Sequence, residues 1–156
     1  MAWCNLDDFG EHMVFGSPKP KAPGSGSDDA GALHLGFRGT SVYYGWWGAS
    51  VNRDAQIAYI GQPGEWHHIA WRFDGMDSGG NQDIFEDGTM YVSHATPSWY
   101  GGILAENNNA PNVPTNLLIG RTVSNSGAYS GYLADVRVYP VALMDSDIAA
   151  IAASPP

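Results

Sequence analysis

The sequence predicts an all-β fold, an antiparallel jelly-roll β-sandwich followed by one short helix. Three observations support this prediction. Short segments alternate apolar and polar residues and are separated by turn-forming residues. Asp87-Gly88 is a two-residue hairpin signal, because both turn positions favour φ > 0. The chain also holds 20 glycines, 10 prolines and 12% aromatic residues, and its 156 residues suffice for one two-layer domain over 1–156.

The first predicted strands are short and are interrupted by a long polar segment. Residues 1–5 and 12–16 are predicted strands. Residues 17–31 (SPKPKAPGSGSDDAG) are a predicted mobile loop, because prolines cannot donate ladder hydrogen bonds and Gly and Ser favour turns. The segment 32–38 alternates cleanly, which is typical of a half-buried strand. Its apolar face holds Leu33, Leu35 and Phe37.

The segment 66–73 (WHHIAWRF) is the central predicted strand. Alternation places Ile69, Trp71 and Phe73 on one face, which we expect to be the core face. We also expect Trp66 and Trp71 to fill the core or to pack under loops.

The C-terminal part predicts a strand and then a helix. In GYLADVRVYP, Leu133 is out of phase with Val136 and Val138, which indicates a bulge or a strand buried on both faces. The helix is predicted to begin near Asp145 as its N-cap and to stop at Pro155-Pro156.

Four segments carry a resemblance to a known family: GEWHHIAWRFDG (64–75), QDIFEDGTMYVSH (82–94), NLLIGR (116–121) and SGYLADVRVYPVALMDSDIAAI (130–151). Their order resembles the laminin-G-like branch of the concanavalin-A-like lectin/glucanase superfamily. That resemblance implies a jelly-roll sandwich, and the fold hosts lectins, hydrolases and adhesion domains.

The resembled family usually opens with one more strand than this chain shows. Ala2-Trp3 lies almost at the N-terminus, so the strand around 132–139 is expected to have an unpaired edge. Asp135 and Arg137 would protect such an edge by their charge. The alternative is a homodimer formed by pairing two edges. Monomer and edge-paired homodimer both stay open.

Composition limits the classes of partner and of compartment. Sixteen acidic residues against seven basic residues give a net charge of −9, which argues against nucleic acid binding. No apolar run approaches the roughly 20 residues of a membrane span. Cys4 is the one cysteine, so no intramolecular disulfide is expected. MAWCNLDDFG lacks the features of a signal peptide, and we expect a soluble protein of unspecified localisation.

Catalysis is not expected. A retaining glycosidase needs two carboxyl groups about 5 to 5.5 Å apart, and the laminarinase-like enzymes of the resembled superfamily carry theirs on one strand as Glu-x-Asp-x-x-Glu. This sequence has no such run. Asp83, Glu86 and Asp87 have a different spacing, and Asp87 belongs to the predicted turn. Glu86 is expected to sit at the sandwich rim and reach solvent.

Calcium is a candidate cofactor, because many proteins of the resembled family bind it in a rim loop. The segment 74–83 offers oxygen ligands of the type that calcium takes. These are Asp74, Asp77, Asn81 and Asp83. The alternative is that these residues only shape turns. His67 and His68 are adjacent on a strand and point to opposite faces, so they cannot bind one ion together.

Aromatic residues suggest glycan binding, since a flat ring can cover the apolar side of a pyranose while polar groups bind its hydroxyls. Tyr43 and Tyr44 lie on opposite faces, as do Trp46 and Trp47, so we expect some of them to line an open face. The predicted ligand-binding residues are Tyr44, Trp46, Trp47, Trp99, Tyr100 and Asn108. The predicted function is a non-catalytic carbohydrate-recognition module. The alternatives are a protein-interaction or structural domain and, third, a glycoside hydrolase.

Overall fold

The computed structural model describes residues 1–16, 32–47, 52–73, 81–95, 117–121 and 127–156. This part of the chain forms ten strands and one helix. The strands are β1 (Ala2–Leu6), β2 (Glu11–Gly16), β3 (Ala32–Arg38), β4 (Ser41–Trp47), β5 (Asn52–Ala58), β6 (Trp66–Phe73), β7 (Asn81–Glu86), β8 (Thr89–Ala95), β9 (Leu118–Ile119) and β10 (Gly131–Ala134). The helix α1 spans Asp145–Ala152. The predicted loop 17–31 lies outside the described residues.

The strands pair into two antiparallel five-stranded sheets. Sheet A has the order β10-β1-β6-β7-β8, and sheet B has the order β5-β4-β3-β2-β9. Their facing sides share one apolar core, as in a β-sandwich. The buried side chains of this core come from both sheets and include Leu6, Val14, Phe15, Phe37, Val42, Ile57, Ile69 and Ile84. The predicted all-β sandwich with one short helix is confirmed.

Both faces of strand β6 are covered along its middle. Ile69 is buried in the core and Trp71 packs against it, as predicted. Phe73, the last residue of β6, is 37% exposed, because it lies where the strand reaches the end of the sandwich. On the opposite face, Ala70 packs with Phe85 and Ile148 of α1. The helix therefore covers the outer face of sheet A.

The hairpin and the bulge predicted from the sequence are both present. Asp87 and Gly88 have φ values of 49° and 80° and join β7 to β8. After β10, Asp135 has a φ of 48°. Trp3 pairs with Ala134, but the next paired residues are Met1 and Arg137, whose backbones exchange two hydrogen bonds of 3.0 Å. The one extra residue lets Leu133 and Val136 both face the core.

The helix and its N-cap each lie one residue earlier than predicted. Met144 is the N-cap, and Asp145 is the first helical residue, so the prediction of Asp145 as N-cap is wrong. The Asp147 carboxylate accepts a hydrogen bond from the Met144 backbone N–H at 3.3 Å. Asp145 is instead held by Arg72 of sheet A. A tertiary ion pair has replaced the local capping bond that the sequence suggested.

Strand β10 lies at the edge of sheet A and pairs only with β1 among the described strands. It is four residues long, and a short edge strand is a poor template for pairing with another chain. Asp135 and Arg137, just beyond it, bind each other with Nη2–Oδ2 at 2.6 Å. Whether two copies pair here stays a prediction.

Candidate functional site

The strand ends that carry the predicted site residues meet at one end of the sandwich. In sheet B, Trp47 at the end of β4 lies in register with Ala32 and Asn52. In sheet A, Phe73 at the end of β6 lies opposite Gln82. We call this the long-loop end, because the chain segments 17–31, 74–80 and 96–116 join strands there. The other end has short turns, such as Asp87-Gly88.

A cleft of about 320 Å³ lies between the two sheets at the long-loop end. Sheet B contributes Phe15, Leu33, Leu35 and Tyr44 to its wall, and sheet A contributes Ala70, Trp71, Arg72 and Phe73. Its volume falls at the low end of the range typical of small-molecule sites. Aromatic and aliphatic side chains dominate the lining.

The segment after β10 forms the third wall of the cleft. Residues 137–143 line it, and Leu117 lies at its rim. Val138 is 67% exposed and Tyr139 is 39% exposed, so this wall is open to solvent. Its position is fixed by Arg72, whose Nη1 donates to the Leu143 carbonyl at 2.9 Å.

Trp71 is held firmly in the cleft. Its indole Nε1 donates to the Tyr43 carbonyl at 3.0 Å. Its ring meets that of Phe15 edge to face, with centroids 6.0 Å apart. This side chain crosses from sheet A to sheet B, and these two contacts fix the orientation of its ring in the cleft.

The predicted aromatic residues separate into three groups. Tyr44 lines the cleft but is only 5% exposed and belongs to the core. Trp46 and Trp47 are the last residues of β4, at the long-loop end, and their side chains lie outside the described part of the structure. Trp99, Tyr100 and Asn108 lie outside the described residues altogether.

The tyrosine pair on β4 supplies no exposed ring. Tyr43 and Tyr44 do face opposite ways, yet Tyr43 is fully buried. The Arg38 guanidinium lies 4.0 Å from its ring centroid. The outer face of sheet B is therefore covered at this position.

Of the proposed calcium ligands, only Asp83 has a described side chain. Asp74 and Asp77 lie outside the described residues, and Asn81 is the first residue of β7. Asp83 is fully buried, and its Oδ2 accepts from Arg72 Nε at 2.7 Å and Nη2 at 2.6 Å. A calcium ion would compete with this guanidinium for Oδ2. The described residues contain no group of three or more Asp, Glu, His or Cys arranged around a metal position.

Glu86 is buried, contrary to the expectation that it reaches solvent. It lies in register with Ile69 and so points into the sandwich, where it is 1% exposed. Its carboxylate oxygens accept from the Ile60 N–H at 3.3 Å, and His67 Nδ1 lies 3.6 Å away. Burial raises the pKa of this carboxyl group. His67 also binds Asp87 Oδ2 at 2.8 Å, so this acidic cluster ties β6 to the β7–β8 hairpin.

Trp66 is 45% exposed, so the expectation that it fills the core or packs under a loop is wrong. It is the first residue of β6 and lies on the outer face of sheet A, one strand from Asn5. The cover provided by α1 reaches Ala70 and Phe85 but not this end of the strand. Tyr132 of β10, on the other side of Asn5, is 67% exposed.

A family model described as the concanavalin A-like lectin/glucanases superfamily matches residues 1–149. The chain belongs to this superfamily. The match extends the resemblance seen in the sequence to nearly the whole chain and agrees with the two antiparallel sheets. Since the concanavalin A-like superfamily includes both lectins and glucanases, membership alone leaves the activity open.

Two solved structures are similar to this concanavalin A-like chain. The first is a "putative carbohydrate binding protein" from Bacteroides ovatus ATCC 8483, with 16% identity and a TM-score of 0.59 over 95% of this chain. This chain spans only 38% of that protein. The second is an S-layer domain-containing protein (residues 221–444) from Clostridium thermocellum ATCC 27405, with 20% identity, a TM-score of 0.38, and coverage of 96% and 66%. The first supports the fold, and the second score is too low to support an argument.

A search of the curated proteins finds no match. Within the described residues, no helix has the length and apolar character needed to cross a membrane.

Proposed function

We propose that this domain is a non-catalytic carbohydrate-recognition module that binds glycans in the cleft at the long-loop end. The observation that carries the proposal is the cleft itself. It is open, about 320 Å³ in volume, and walled by the rings of Trp71, Phe73 and Tyr139. Superfamily membership and the printed name of the Bacteroides ovatus protein agree with a glycan ligand.

The chemistry of the wall suits a neutral sugar. A pyranose presents C–H groups on one side, which pack against aromatic rings, and hydroxyls around its edge. Phe73 and Tyr139 are 37% and 39% exposed, so their rings are accessible. Arg137 also lines the cleft and can donate hydrogen bonds to sugar oxygens, whereas the N–H groups of Arg72 already bind Asp83, Asp145 and the Leu143 carbonyl. The sequence lacks the Glu-x-Asp-x-x-Glu run of the laminarinase-like enzymes of this superfamily, which supports binding without hydrolysis over the third alternative, a glycoside hydrolase.

The proposed function includes a calcium site in the segment 74–83. This segment leaves β6 directly after Phe73, which lines the cleft, and returns at β7. An ion held there by Asp74, Asp77, Asn81 and Asp83 would lie beside the glycan. Calcium bound beside the cleft would then stabilise the glycan-bound domain and so strengthen glycan affinity.

A protein partner is the second candidate. It is favoured by the exposed apolar wall, where Val138 and Val141 are 67% and 66% exposed. Such side chains are more typical of a protein interface than of a sugar site, in which aromatic rings dominate.

A glycan screen separates these proposals. The purified domain is tested against immobilised neutral and acidic polysaccharides, once with calcium and once with chelator. Binding to a defined neutral glycan is expected, and its weakening in chelator would support the calcium site. A lack of binding to every glycan under both conditions would contradict the carbohydrate proposal and favour the protein partner.

A further inference from the structure

Three side chains form a straight row across the outer face of sheet A, at the end opposite the cleft. Asn5 of β1 lies in register with Tyr132 of β10 on one side and with Trp66 of β6 on the other. Residues in register on antiparallel strands point to the same face. We call this the Trp66–Tyr132 row. Both rings are exposed, at 45% and 67%, whereas Asn5 between them is 8% exposed.

The spacing of the row matches an extended sugar chain. Neighbouring strands lie 4.7–4.9 Å apart, so Trp66 and Tyr132, two strands apart, are separated by about 10 Å at the backbone. That distance is comparable to the length of a disaccharide. Two rings at this separation can each cover one pyranose of the same chain.

Polar groups accompany the rings. The Asn5 Nδ2 donates to the Gly64 carbonyl at 2.8 Å, which fixes the amide between the two rings. Asp7 lies two residues after Asn5, just beyond the end of β1, and is exposed. Its Oδ2 accepts from the Ser130 hydroxyl at 2.8 Å, which holds the carboxylate at the edge of the row. A carboxylate can accept several hydrogen bonds and so can bind sugar hydroxyls.

We propose that the Trp66–Tyr132 row is a second glycan-binding surface, for a neutral polysaccharide chain running across strands β10, β1 and β6. This inference extends the proposed function, on which it rests for the class of ligand. The Asp7 carboxylate beside the row and the net charge of −9 disfavour nucleic acid and anionic lipid surfaces. The row is narrow and interrupted by an amide, unlike the continuous apolar centre of a protein interface.

The two surfaces face different directions. Trp66 is the first residue of β6 and Phe73, in the cleft, is the last. Seven residue steps of a strand separate them by about 23 Å. A single domain with both surfaces would bind two polysaccharide chains, or two stretches of one chain, and would gain avidity on a multivalent surface.

The test measures the affinity and stoichiometry of the intact domain for soluble neutral polysaccharides, namely β-glucan, mannan and galactan, by titration calorimetry. The variants are Trp66→Ala and Tyr132→Ala, with Tyr91→Ala as the matched control, because Tyr91 is also an exposed aromatic residue, 48% exposed, but outside the row. Each row variant is expected to weaken binding to this surface about tenfold, the equivalent of 1.4 kcal/mol. The control should bind like the wild type. Unfolding midpoints equal to the wild type would show that the variants are folded.

The outcomes distinguish failure of the row from failure of the proposed function. Loss of binding in the row variants, with the control unaffected, supports the row whether or not the cleft also binds. Wild-type affinity and stoichiometry in both row variants would overturn the row, while glycan binding that remains in those variants keeps the proposed function. Failure of the wild type to bind any of the three polysaccharides would overturn both.

Discussion

Replacing Arg72 by Met is expected to lower the free energy of unfolding by about 3 to 5 kcal/mol. Arg72 binds Asp83 through two nitrogens and also binds Asp145 and the Leu143 carbonyl. The Asp83 side chain is 1% exposed, and its Oδ1 has no hydrogen-bond partner among the described residues. Loss of Arg72 would leave this buried carboxylate without any compensating charge. Urea unfolding followed by tryptophan fluorescence measures the change.

Arg137→Met is the matched control for that prediction. Arg137 forms an ion pair with Asp135, but the two side chains are 41% and 26% exposed. Exposed pairs contribute only about 0 to 1 kcal/mol. The double variant Arg72→Met, Asp83→Leu should recover much of the lost stability, because it removes the buried charge as well. Equal costs for Arg72→Met and Arg137→Met would contradict this account of the Arg72 network.

Acid is expected to destabilise the domain through His68. This residue is 1% exposed, packs edge-on against Trp3 with centroids 5.5 Å apart, and has no hydrogen-bond partner for either ring nitrogen among the described residues. Burial lowers its pKa from 6.5 to about 4. Between these two values the unfolded chain binds a proton that the folded domain does not. Stability is therefore complete above pH 6.5 and falls as the pH drops towards 4, by up to about 3 kcal/mol.

The variant His68→Leu isolates this effect. Leucine does not titrate and has a similar volume, so its stability at pH 7.5 should lie within about 1.5 kcal/mol of the wild type. The free energy of unfolding of the wild type, relative to that of this variant, should then fall by up to about 3 kcal/mol as the pH is lowered from 6.5 to 4. The raised pKa of Glu86 acts in the opposite direction, but it is shared by both proteins and cancels. A difference that stays constant over this range would contradict the assignment to His68.

The sequence predicted those features that depend on a few neighbouring residues. The hairpin follows from Asp87-Gly88, because the preference for φ > 0 is local. Leu133 and Val136 are three residues apart, so a regular strand would place them on opposite faces. A bulge is predicted because it lets both apolar side chains face the core. The fold follows from the order of the strand patterns and from the resemblance to a family.

Features that depend on pairing between distant strands were not predicted. Glu86 is buried because it lies opposite Ile69 and beneath the Ile60 N–H, and neither contact is visible in the local pattern. Trp66 is exposed because α1 covers the middle of β6 and stops short of its first residue. The row with Tyr132 was missed for the same reason, since the two residues meet only through β1. The sequence offers one signal that Trp66 is exposed, which is its position at the start of a strand, directly after the turn-forming Gly64 and the charged Glu65.

The measurement that tests the central claim most directly is the affinity of a cleft variant for the glycan that the wild type binds best. The double variant Phe73→Ala, Tyr139→Ala removes two rings from the cleft wall, and both are partly exposed, so folding should persist. Titration calorimetry should show a loss of affinity of about a hundredfold, as expected when two rings worth about 1.4 kcal/mol each are removed. Tyr91→Ala, which removes an exposed aromatic ring outside the cleft lining, is the control and should bind as the wild type does. Wild-type affinity in the folded double variant would contradict the assignment of glycan binding to the long-loop end.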